Sequence, residues 1–95
     1  MYELSVDPLA LEQYGAAVAY YTTCHPGRPS TRLPELMHEA FAMARRHPHA
    51  LPLAGTDSRG GQLRRVNVWH FAFLYRVDEP ARQLVIERIF HERTG

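Results

Sequence analysis

"FLYRVDEPARQLVIERIFHER", residues Phe73–Arg93, sets two runs of β-branched and aromatic side chains on either side of a short polar turn at Asp78–Ala81. Such runs suit a pleated, half-buried surface, and a brief polar link between them closes a hairpin. Working backwards, "FAFLYRV" (71–77) and "QLRRVNV" (62–68) have the same character. With "RQLVIERIF" (82–90) they read as three consecutive strands. Near the start, "YELSV" alternates so that Tyr2, Leu4 and Val6 share one face of a fourth strand.

Between the first strand and the other three lie two helical patterns. Asp7-Pro8 reads as a helix start, with Asp7 as the cap and Pro8 at the first helical position. Leu11, Tyr14, Val18 and Tyr21 recur at helical spacing over about residues 8–22, and Pro26-Gly27 in "CHPGRPS" ends the run. A second helix is expected from near Ser30 to His47, stopped by Pro48. Pro34 falls in its first turn, where a missing N–H costs little, and Leu33, Leu36, Met37, Ala40, Phe41 and Ala44 line one face. Arg45, Arg46 and His47 suit the negative end of the helix dipole without any functional role. Residues 48–61, "PHALPLAGTDSRGG", read as a Pro/Gly-rich loop. The expectation is therefore an α+β fold: two N-terminal helices on one face of a small, mostly antiparallel four-stranded sheet, β-α-α-β-β-β. One domain spans residues 1–95.

Composition bounds the chemistry. Ninety-five residues, 45% hydrophobic and 22% charged, are enough for one modest core. Cys24 is the single cysteine, so neither an internal disulfide nor a cysteine metal cluster is available. The opening "MYELSV" lacks the basic start and long apolar run of a signal peptide, and no stretch reaches the length of a membrane span. The expectation from these features is a reducing, cytoplasmic setting, away from membranes. His47 and His49 flank Pro48 with no third ligand nearby, so no metal or other cofactor is expected.

The net charge of +1 conceals an asymmetry. All eleven basic side chains are arginine. Residues 1–58 hold four arginines and six acids, a balance of −2, whereas residues 59–95 hold seven arginines and four acids, a balance of +3. A positive C-terminal half suits an anionic partner or simply a solvated face. Arg64, Arg65, Arg76, Arg88 and Arg93 are the candidate target-binding residues. His91, alone among the histidines in lying on the last strand, is a candidate acid or base, roles that an imidazole side chain can serve.

The order of motifs resembles the RelE/ParE superfamily of toxins from type II toxin–antitoxin modules, also called plasmid-stabilisation proteins. The resemblance lies in "AVAYY" (17–21) before "HPGRPS", in "RHPHALP" ending the second helix, in "RRV" and "YRV", and in the terminal "IFHER". It covers nearly the whole chain. It implies a growth-inhibiting toxin held inactive by a cognate antitoxin, with two alternative mechanisms that fold alone does not separate. A ParE-like toxin blocks DNA gyrase without catalysis. A RelE-like toxin is an endonuclease that cuts mRNA on the ribosome.

RNA cleavage through the 2′-hydroxyl requires a base, an acid and cations for the phosphorane charge. On the RelE-like reading His91, Arg64 and Arg88 are the catalytic residues. Relatives of that type usually carry lysines in the sheet and a strong positive charge, and many place an aromatic near the terminal histidine. This chain has no lysine, is nearly neutral and ends "HERTG". A protein docking on several phosphates is expected to be more basic. The ParE-like alternative therefore leads, although Val68 and His70 stand where many such relatives have a basic residue and a proline. A degenerate, non-toxic antitoxin-binding module is the remaining alternative.

Overall fold

The computed structural model describes residues 1–29 and 31–92. Its elements are β1 (Glu3–Val6), α1 (Pro8–Cys24), α2 (Arg32–Arg46), β2 (Leu53–Thr56), β3 (Gln62–Val68), β4 (Phe71–Asp78) and β5 (Gln83–His91). The strands form one sheet in the order β1-β5-β4-β3-β2. β1 is parallel to β5, and the other neighbouring pairs are antiparallel. The fold is α+β with a mixed five-stranded sheet, which corrects the expected four-stranded, mostly antiparallel one in two ways.

The first correction is β2, which lies inside the stretch expected to be loop. Its four residues are all exposed, so it has no buried alternation to mark it as a strand. It is held by the turn that follows: the Asp57 carboxylate accepts hydrogen bonds from the backbone N–H groups of Arg59 (2.9 Å) and Gly61 (2.7 Å). That turn folds the chain back onto β3, with an irregularity between Leu53 and Gly55, whose φ of 140° favours glycine. The second correction is the direction of β1. After β1 the chain passes through both helices and enters the sheet at its far edge. Three hairpin reversals then bring β5 alongside β1, pointing the same way.

The helices differ from expectation in their details. α1 continues to Cys24, and α2 starts at Arg32; the expected start near Ser30 falls outside the described residues. Asp7 occupies the cap position of α1, but its side chain makes no capping bond. Leu11, expected in the core stripe, is 57% exposed. Ala10, Ala17 and Tyr21 are the buried residues of α1, with Tyr14 and Val18 half-buried. On α2, Leu33, Met37, Phe41 and Ala44 are buried.

Alternation assigns each strand residue to a side of the sheet. Val66, Val68, Phe71, Phe73, Tyr75, Leu84, Ile86 and Ile89 join the helices in one core cluster. Phe41 meets both Phe73 and Tyr75 edge to face, at 6.0 and 5.7 Å between centroids. The Tyr75 hydroxyl donates to the carbonyl of Pro48 at 2.8 Å, which ties the end of α2 to the centre of the sheet. No described helix packs on the other side. There Leu63, Ala72, Leu74 and Val85 are nonetheless buried, and Arg65, Arg76 and Arg88 share that face with them.

Two substitutions separate these contributions. Phe73→Ala removes a fully buried ring and is expected to lower unfolding free energy by about 3–5 kcal/mol. Tyr75→Phe keeps the ring but strips the Pro48 carbonyl of its partner, a loss of about 1–3 kcal/mol. Urea unfolding of both variants measures the two losses.

Candidate functional site

The arginines of the sheet are distributed by strand register. Arg65 on β3 is opposite Leu74 on β4, which is opposite Arg88 on β5. In the next row, Asn67, Ala72 and Phe90 lie side by side. Both rows face the side that carries no helix. The guanidinium of Arg65 lies 5.8 Å from the centre of the Phe90 ring, and that of Arg88 lies 5.5 Å from it. An aromatic flanked by two cations forms the compact centre of this face. Arg65 is further held by an ion pair with Glu92 and by a 2.8 Å bond from its Nε to Asn67 Oδ1. Arg88 is exposed.

Arg76 belongs to a separate patch nearer the β4–β5 turn. Its Nε pairs with Glu87 Oε2 at 2.5 Å, and a small cleft beside it is lined by Asp7, Asp57 and Arg59. Burial pushes the Glu87 carboxyl above its ordinary value, the charge of Asp57 adds to the rise, and Arg76 opposes it. Asp57 goes the other way, chiefly because the Gly61 N–H bonds to its carboxylate.

Arg64 and His91 face the helices. Arg64 is opposite Tyr75 and donates from Nη1 to the carbonyl of Leu51 at 2.6 Å. His91 is opposite Phe71 at the other end of the sheet. Its ring lies 5.1 Å from those of Tyr20 and Phe71 and 6.0 Å from that of His70. Trp69, in the turn between β3 and β4, extends this cluster towards Tyr21 and His25, at 4.8 and 5.2 Å. Its φ of 54° is unusual for a bulky residue and is maintained by that packing. Arg93 lies outside the described residues.

The structure thus brings Arg65 and Arg88 together, sets Arg76 apart, and separates all three from His91 and Arg64. Phe90 is a site residue that the sequence pattern does not single out; its position two residues after Arg88 on the same strand face is the available signal. A groove of about 420 Å³ between α1 and the end of β5, which no local sequence pattern marks, is lined by Gln13, Ala16, Tyr20, Ile89 and His91 among others. Among the described residues no group of three His, Cys, Asp or Glu side chains is placed to hold a metal ion, and no helix is long and apolar enough to cross a membrane. No protein-family model matches the chain, and no curated protein matches it in sequence.

A third cluster ties the other end of the sheet. The Tyr2 hydroxyl donates to Glu79 Oε2 at 2.6 Å, and His49 Nε2 lies 2.8 Å from Glu79 Oε1. The Tyr2 bond, then the His49 bond, hold the Glu79 carboxyl below its ordinary value. A lowered carboxylate pKa stabilises the fold above the unfolded-state value and is lost as pH falls through the folded-state value. Glu87, with a raised pKa, has the opposite sign: its contribution is present at low pH and is lost as pH rises through the raised value. Glu79→Gln is therefore expected to flatten the acid side of the stability profile. Glu87→Gln is expected to remove the decline on leaving acid. Urea midpoints measured across the carboxylate range check both.

Proposed function

We propose that the chain is the toxin of a type II toxin–antitoxin pair and that it acts by binding a protein target, DNA gyrase, without cutting RNA. One observation carries the choice of mode. The residues that an RNA-cleaving site would use, His91, Arg64 and Arg88, are dispersed over the sheet. Arg88 is on the side without helices and the other two are on the helix side. His91 and Arg64 are opposite Phe71 and Tyr75, four residues apart on β4, or about 13 Å at the usual strand rise. Acid–base catalysis needs its groups within hydrogen-bond reach of the same reacting atoms. An aromatic ring between two arginines is better suited to anchoring a protein surface, where such residues concentrate binding energy.

The toxin reading itself rests on the order of the motifs, and a neutralising antitoxin is the partner that this reading implies. The exposed apolar side chains of α1, Leu9, Leu11 and Tyr20, support a binding partner of some kind. The ribosome and mRNA remain the competing target.

Induced expression without the neighbouring gene tests this. Growth arrest is expected, with intact mRNA and inhibited supercoiling by gyrase. Arg65→Ala and Arg88→Ala are each expected to weaken target binding about tenfold, as a loss of ~1.4 kcal/mol would. His91→Ala is expected to leave the arrest in place. Ribosome-dependent cleavage that disappears with His91→Ala would establish the nuclease instead. Unimpaired growth would point to an inert binding module.

A further inference from the structure

Beyond Ile86, among the described residues, no strand pairs with β5 on its β1 side. β1 ends there, where the Asp7 N–H donates to the Ile86 carbonyl at 2.9 Å. Two bonds then fix how the rest of β5 is oriented. Glu92 N–H donates inward to the His70 carbonyl at 3.0 Å, whereas Ile89 N–H donates outward to Gln13 Oε1 at 2.7 Å. Within a strand, alternate residues turn their backbone groups to opposite edges. Ile89 therefore presents its backbone to the open edge, where a single side-chain amide stands in for a neighbouring strand.

The wall above this edge is unusual for a surface helix. From Gln13 to Cys24, α1 has no charged side chain. Leu9, Gln13, Ala16 and Tyr20 follow one another at helical spacing, the last three lining the groove, with Leu9 60% and Tyr20 45% exposed. A helix that is apolar all round is normally covered on all sides. An unblunted strand edge beneath it is a template for further pairing.

We infer that a second copy of this chain covers the groove, with the two β5 strands pairing antiparallel about a two-fold axis at Ile89. The sequence of the edge is self-complementary in this register. Ile89 meets Ile89, and each donates its N–H to the other's carbonyl, relieving Gln13 of that role. One residue either side, Arg88 of each copy stands opposite Phe90 of the other. Cross-strand neighbours at such a position are about 4.5–5.5 Å apart at Cβ, close enough for the guanidinium to lie on the ring. No like charges face one another at the axis, and the uncharged stretches of the two α1 helices close over the joint. The arrangement is isologous and leaves this edge of neither copy exposed. It goes beyond the toxin reading and holds whether or not that reading does.

The test uses the full chain. Sedimentation at micromolar concentration is expected to show a dimer, and Ala16→Arg, which places a charge on an exposed position of the groove, is expected to weaken it at least about tenfold. Register is read by cross-linking in a Cys24→Ser background. Residues directly opposite in a non-hydrogen-bonded pair lie within disulfide reach. Arg88→Cys protein mixed with Phe90→Cys protein is therefore expected to oxidise to a covalent dimer, and each alone is not. A chain that stays monomeric overturns the inference, including one that instead binds a foreign segment in the groove. A dimer insensitive to Ala16→Arg, or one cross-linked equally well by either cysteine alone, also overturns it.

Discussion

Glu87 decides which side of the sheet every later residue of β5 faces. Tyr75 is opposite Ile86 and Leu74 is opposite Arg88, so Glu87 has no partner on β4 and forms a bulge. Leu84 and Ile86 point to the helices before it, and Ile89 and His91 point there after it. Uninterrupted alternation from Ile86 would instead turn Arg88 and Phe90 into the core and expel Ile89. The bulge thus preserves the hydrophobic contact between α1 and β5 and places Phe90 and Arg88 on the open face. Its own carboxylate is anchored by Arg76, so the irregularity is fixed at both backbone and side chain.

The open face follows from a second constraint. Phe71 through Tyr75 are all buried, although helices cover only one side of β4. Ala72 and Leu74 are buried on the uncovered side, in the two rows that also carry Arg65, Arg88 and Phe90. Long side chains with apolar stems cover such surface while keeping their charges in water. The arginines there consequently serve the sheet as well as any partner.

How much of this could be read from the sequence depends on which signal each element leaves. β3, β4 and β5 were legible because their β-branched and aromatic runs are long and bounded by turns. α2 was legible because its apolar residues fall on one face. β2 left no such trace, being four exposed residues fixed by an Asp57-centred turn. In α1 nearly every residue is apolar, so periodicity could not say which side is buried, and alanines took the closest contacts in place of Leu11. For the site, the separation of Arg88 from His91 follows from their odd spacing on one strand. The meeting of Arg65, Phe90 and Arg88 needed the register across three strands, which no local pattern states.

Charge counting fails for a related reason. The +3 balance of residues 59–95 already subtracts Glu87 and Glu92, but it does not say where the remaining charge lies, and the fold engages several arginines locally. Arg65 is paired with Glu92, Arg76 with Glu87, and Arg64 donates to a backbone carbonyl. A paired cation contributes little field beyond a Debye length, about 8 Å at physiological salt. Arg88, exposed and resting on Phe90, has no carboxylate partner among the described contacts and keeps most of its charge for an encounter. Among the described residues, this face offers an aromatic anchor between Arg88 and the paired Arg65, not a track of phosphate contacts. Its selectivity would then come from shape around Phe90 more than from net charge, which is how a protein interface discriminates and how a general RNA-binding surface does not.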